Sequence, residues 1–155
     1  MNWQEVCTHP SLQNLPFKIE LNEWGQVVMS PTKIYHSIFQ GRIARLLPAV
    51  GEVITECAIK TTKGTKVADV AWASSERAAI IQEETAASIA PEICVEILST
   101  SNTKTEIVEK RALYFAVGAQ EVWTCNKNGA MKFYDPHGEL KQSQLAPDFP
   151  RNIKL

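Results

Sequence analysis

The chain has 155 residues, 45% of them hydrophobic and 21% charged, with a formal net charge of −1. That composition fits a globular protein with chain enough for a sizeable core, expected as one domain over residues 1–155. It excludes a broadly basic nucleic-acid coat, and no apolar run approaches the ~20 residues of a membrane span, so no membrane partner is expected. Residues 1–7 lack the basic-then-apolar order of a secretory signal, which sets the expectation of a cytoplasmic protein.

Residues 1–16 read as irregular, with Pro10 and Pro16 as breakers. From Phe17 to Met29 the apolar Phe17, Ile19 and Leu21 alternate with Lys18, Glu20 and Asn22, and Asn22 to Gly25 can turn, which predicts a hairpin. Ser30-Pro31 reads as a helix start, serine as N-cap and proline in the first turn. That helix is expected to run to about Leu47, with Ile34, Ile38, Leu46, Tyr35, Phe39 and Ile43 on its apolar side. His36 and Gln40 form an i, i+4 pair on a neighbouring face, a boundary pair or a substrate contact.

Residues 52–60 and 66–73 flank the turn Thr61 to Thr65 and predict a second hairpin. Strict alternation there puts Val67, Asp69 and Ala71 on one face and Ala68, Val70 and Trp72 on the other. Residues 74–91 read as a loop with short helical turns or as one bent helix. Ile93 to Ser99 is nearly continuous in apolar residues, as in a sheet covered on both sides, yet it carries Glu96. Thr103 to Glu106 has the pattern of a capping box and Gly118 that of a C-terminal stop, so a helix bearing Lys110 and Tyr114 lies between them. A strand over 121–125, a turn at Asn126 to Gly129, a strand over 131–134 and a turn at Asp135 to Gly138 complete the order, with an ordered tail.

The four cysteines, Cys7, Cys57, Cys94 and Cys125, include no Cys-x-x-Cys pair, which argues against a structural zinc site. Three of them sit in strand-like runs and read as buried, reduced thiols. Lys60, Lys63 and Lys66, and Arg42 with Arg45, are small basic clusters that read first as solvated surface.

Asp69 and Glu96 are carboxylates inside apolar strands, and Lys110 is an ammonium on the inner face of a helix. Each unpaired charge taken from water costs several kcal/mol, so a shared polar site is expected. Two carboxylates on adjacent strands suit a divalent cation, with the backbone carbonyl of Ile97 as a further oxygen. A lysine beside them would orient or deprotonate a water, or steady charge on a phosphate. Simple ion pairs, with no metal, remain the plainer alternative.

The order Val-Ala-Asp69-Val-Ala-Trp, then Ile-Cys-Val-Glu96-Ile-Leu-Ser, then Glu-Lys110-Arg-Ala-Leu-Tyr114 through Gly118 to Trp123, resembles the Uma-two-type restriction-endonuclease family. The likeness extends upstream to Gly25 through Pro31 and to His36. That family is a bacterial branch of the PD-(D/E)XK nuclease superfamily. The resemblance implies an α/β (α+β) domain, a restriction-endonuclease-like mixed β-sheet flanked by helices. It implies a Mg (or Mn)-dependent endonuclease acting on DNA, with Asp69 and Glu96 as the acids and Asp69, Glu96 and Ile97 as metal ligands. Leu98 stands where a lysine would follow the second acid, so Lys110 is expected to replace it from the next helix. Glu20, preferred over Glu23, is the expected accessory acid. Ala68 departs from the proline usual before the first acid. His36, Gln40 and Tyr114 are expected to line the pocket, with packing as the main role of Tyr114. A homodimer is expected by analogy. The rival expectations are a catalytically silent nuclease-fold module that binds nucleic acid or protein, and a plain structural dimer.

Overall fold

A computed structural model describes residues 1–155. The opening segment is not irregular as expected: α1 (Trp3–Thr8) begins at an Asn2–Glu5 capping box. Asn2 and Glu5 each accept the other's backbone N–H, a reciprocal cap that supports a helix of six residues.

The first hairpin forms as expected, β1 (Phe17–Leu21) against β2 (Val27–Pro31), and makes a two-stranded sheet of its own. Its pairing runs through Phe17 opposite Pro31, which corrects the expected helix start. Ser30 is held in the ladder opposite Lys18, so α2 (Ile34–Leu46) begins later, at an N-cap lysine without a side-chain cap. The buried face of α2 also differs from expectation. His36, Phe39 and Ile43 are buried, whereas Ile34 is 80% exposed and Ile38 and Leu46 are exposed too. The helix packs Phe39 and Ile43 on the sheet, and His36 and Gln40 flank that face with polar contacts to Asp69.

The main sheet has six strands in the order β3 (Glu52–Thr61), β4 (Gly64–Ala73), β5 (Ile93–Ile97), β6 (Glu121–Cys125), β7 (Met131–Asp135) and β8 (Gly138–Leu140). Only β5 and β6 are parallel, joined by the crossover helix α4 (Lys104–Ala116). The Thr103–Glu106 capping box starts α4, and Gly118 at φ 110° follows it. Between β4 and β5 lies α3 (Ser75–Ile81) and a loop that touches β3 through an Ile59–Ala87 bridge, the looped alternative for this stretch.

The sheet buries both faces. Val70, Val95, Trp123 and Phe133 pack with Phe39 and Ile43 of α2 and with Phe149 and Ile153 of the tail. On the other face Ala68, Ala71, Cys94 and Val122 pack with Tyr114 of α4 and with Ile81. Ala68 and Ala71 share a cluster although strict alternation would separate them. The pleat of β4 therefore breaks at Asp69, opposite Glu56, which has a left-handed φ of 51° and no pairing partner. All four cysteines are free, and Cys57, Cys94 and Cys125 are buried. Burial pushes the Cys57 and Cys125 thiols up to about 12, where they are inert. No helix is long and apolar enough to cross a membrane.

One buried carboxyl ties down the tail. Glu121 Oε1 accepts from Trp123 Nε1 and Ser143 Oγ, and Oε2 accepts from the amides of Gln144 and Leu145. Glu121→Ala leaves four donors without that acceptor, so a loss on the order of 3 kcal/mol is expected in urea unfolding. Faster amide exchange at Gln144 and Leu145, with β5 still protected, would locate the damage in the tail.

Candidate active site

The site lies where β4 and β5 part. Their ladder ends at the pair Val70–Val95, and the next residue on each side is Asp69 on β4 and Glu96 on β5. Asp69 Oδ2 accepts the Ile97 amide at 2.8 Å, so a side chain takes over a hydrogen bond that the diverging backbones no longer make. The Asp69 carbonyl accepts from Gln40 Nε2 at 3.0 Å, and His36 Nε2 lies 3.4 Å from Oδ2. The strand break, α2 and β5 together fix the direction of this carboxylate.

Two ammonium groups neutralise the acids. Lys110 Nζ lies 2.6 Å from Glu96 Oε1 and 2.8 Å from Glu20 Oε2. Lys18 Nζ lies 3.1 Å from Asp69 Oδ1 and 3.1 Å from Glu96 Oε2. Glu20 also accepts the Val67 amide at 2.7 Å, and Tyr114 donates its hydroxyl to Glu96 Oε1 at 2.9 Å. Three carboxylates thus face two ammoniums, with His36 beside them. The cluster opens onto a cleft of about 460 Å³.

The structure brings Asp69, Glu96, Lys110 and Glu20 together and seats His36 beside them at the cleft wall. Gln40 and Tyr114 do not line the cleft as expected. They stand behind Asp69 and Glu96 and hold them in place. Ile97 lines the cleft, and the contact that ties it to the site is its amide on Asp69 rather than its carbonyl. Glu23 sits on the cleft wall but is exposed, so Glu20 is the acid of the cluster.

Lys18 is the residue that sequence reasoning missed. On β1 it alternates with Phe17 and Ile19, a pattern that reads as an outward polar face. The hairpin instead turns this polar edge toward the acids, and the Lys18 side chain is only 10% exposed. Its spacing of two from Glu20, on the same strand face, is the signal that could have found it.

Charge and burial compete at each group. Burial raises the Asp69 carboxyl, but the Lys18 ammonium, the His36 contact and the Ile97 amide outweigh it and hold the group well below the carboxylate range. Burial likewise raises Glu20, and Lys110 and Lys18 reverse the sign. Glu96, also buried, stays raised because burial and the neighbouring acids outweigh both lysines. Burial lowers Lys18, and the facing carboxylates of Glu96 and Asp69 more than restore it.

No three ligating side chains are gathered as a metal group, and the two carboxylates present are the set that suits a hard cation keeping most of its waters. Asp69 Oδ1 and Glu96 Oε2 already converge on one positive centre, the Lys18 nitrogen, with Glu20 beyond. Oxygen-only donors of this kind favour magnesium, manganese or calcium over zinc.

A family model described as "Putative restriction endonuclease" (Uma2) matches residues 3–153. The chain belongs to this family. Among solved structures, the Uma2 chain is similar to a crystal structure of "a putative nuclease belonging to DUF820" from Anabaena variabilis ATCC 29413. The TM-score is 0.75 at 18% identity, over 99% of this chain and 94% of that one, a likeness of fold. No curated protein matches.

The depressed groups make stability acid-sensitive. Asp69 and Glu20 contribute stability that is complete above the unfolded carboxylate values of about 4 and is lost as pH falls through their lower folded values. Glu96, raised, acts in the opposite sense, its contribution being present in acid and lost as pH rises through its folded value. With two groups against one, the melting temperature should drop as pH falls below about 4, and Asp69→Asn should flatten that drop in thermal melts.

Proposed function

We propose that this Uma2 chain is a divalent-metal-dependent endonuclease that hydrolyses phosphodiester bonds of nucleic acid, with DNA as the substrate. The observation that carries the reading is the convergence of Asp69, Glu96 and Lys110, with Glu20, on the wall of one cleft. Those groups come from four different elements, and a phosphodiester hydrolase needs that combination of acids and ammonium in one place.

Asp69 and Glu96 would hold the magnesium or manganese ion. When bound, the ion would supply positive charge to offset the negative charge that develops on the phosphate oxygens. Lys110, fixed between Glu20 and Glu96, presents an ammonium to the cleft and would orient a water for in-line attack. Glu20 holds Lys110 in that direction and is itself held by the Val67 amide. Beside the acids His36 contacts Asp69, and behind them Gln40 holds the Asp69 backbone and Tyr114 keeps Glu96 from rotating. Backbone groups and buried side chains thus carry the positioning before any substrate arrives, which is where electrostatic catalysis gains most.

One observation favours the catalytically silent reading. Lys18 bridges the two acids and fills the gap that an ion would use. A nuclease scaffold retained for binding alone would show such a bridge.

Cleavage separates the two. The purified chain should nick supercoiled plasmid in magnesium or manganese. Asp69→Ala and Glu96→Gln should abolish nicking, and Lys110→Ala should slow it by about 100-fold or more, the scale of a lost general acid–base or water-orienting group. A wild-type chain that leaves plasmid and oligonucleotides intact under those conditions would leave only the binding module.

A further inference from the structure

We infer that Lys18 is a tethered counter-ion of the metal-free site, and that its ammonium vacates the gap between Asp69 and Glu96 when a divalent cation binds. The inference rests on the metal-dependent reading above and adds to it how the site is loaded.

The two lysines of the cluster are not equivalent. Lys110 contacts Glu96 through Oε1 and reaches outward to Glu20, leaving Asp69 untouched. Lys18 instead contacts Asp69 Oδ1 and Glu96 Oε2 at the same distance of 3.1 Å. These are the oxygens through which the two acids converge. A hard cation bound by both acids and the Lys18 ammonium would compete for one gap, and their repulsion in a poorly solvated volume is strong. Lys110 can remain on the far oxygen of Glu96 throughout.

Lys18 has the means to leave. Its ammonium ends a flexible four-carbon stem, and that stem comes from β1, in a hairpin outside the six-stranded sheet. The cleft beside it carries a further carboxylate, Glu23, that can receive the displaced charge, while Glu109 is paired with Lys63 and Glu106 caps α4. The acids themselves are held from behind by the Ile97 amide, Gln40 and Tyr114, so they keep their places when the ammonium moves. Loading is therefore an exchange of a single tethered charge for a double free one. It is weaker than it would be in the same site without Lys18, and the metal-free acids never face each other unscreened.

Two measurements on the full chain test this. Calorimetry with MnCl₂ should show Lys18→Met binding the ion about tenfold or more tightly than wild type, the effect of removing one competing charge. Limited acetylation of wild type, read by mass spectrometry, should find Lys18 protected without metal and reactive in saturating MnCl₂. The second measurement needs no variant, so it holds even if Lys18→Met fails to fold. Metal binding by wild type with Lys18 still protected, or equal or weaker affinity in Lys18→Met, overturns the exchange and leaves the metal-site reading standing. No binding by either protein overturns both.

Discussion

Five charged side chains share one poorly solvated volume in this protein, and the fold is built so that none of them is left there alone. Lys18, Glu20, Asp69, Glu96 and Lys110 come from β1, β4, β5 and α4. Stripping one partner from such a group leaves an uncompensated charge that costs about 3–5 kcal/mol. A domain's net stability is only ~5–15 kcal/mol, so the hairpin, the sheet and the crossover helix must all dock correctly for the cluster to be tolerable. Charge neutralisation here acts as a constraint on tertiary structure. It favours one arrangement by making the alternatives expensive, and it adds little net stability of its own.

The apolar core supplies the energy that makes this constraint affordable. Both faces of the six-stranded sheet are covered, by α2 and the tail on one side and by α4 and α3 on the other. The same core opens the site. Packing carries β4 and β5 side by side as far as Val70 and Val95, and beyond that pair the strands diverge and side chains replace backbone hydrogen bonds. Glu56, left-handed and unpaired opposite Asp69, marks the same break on the other edge of β4. The tail is fixed by its own buried acid, Glu121, so two carboxyls with entirely different roles sit in neighbouring parallel strands.

The chain belongs to the Uma2 family, and its fold is shared with a solved structure over nearly its whole length. What sets the charge of the site is its second lysine, Lys18. Without it three acids would face one ammonium, whereas Lys18 supplies a second and occupies the converging oxygens. Every acid of the cluster thus has an ammonium partner, and that pairing bears on both the active and the silent interpretation. His36 adds a detail of the same kind. Its Nδ1 is buried without a partner, so the ring is held by packing and by its single contact with Asp69.

By itself the sequence determined the two hairpins, the capped crossover helix, the strands over 93–97, 121–125 and 131–134 and the acids inside apolar strands, because periodicity, turn residues and caps are local; it left 74–91 open and did not foresee β8. The same locality made Asp69, Glu96 and Lys110 legible as candidates, since a charge in an apolar run stands out wherever the chain goes. Tertiary structure alone decided the rest. Ser30 and Pro31 carry a good helix-start pattern, but cross-strand pairing with Phe17 and Lys18 claimed them for β2. Ile34 and Ile38 are apolar yet face outward, because Phe39 and Ile43 on another side of α2 fill the core against Val70 and Val95. Lys18 sits in an ordinary alternating strand, and only the docking of that strand over two distant carboxylates turned a surface pattern into a buried ion pair. Local chemistry records what each segment can form, while the partner of a charge depends on which distant segment arrives opposite it.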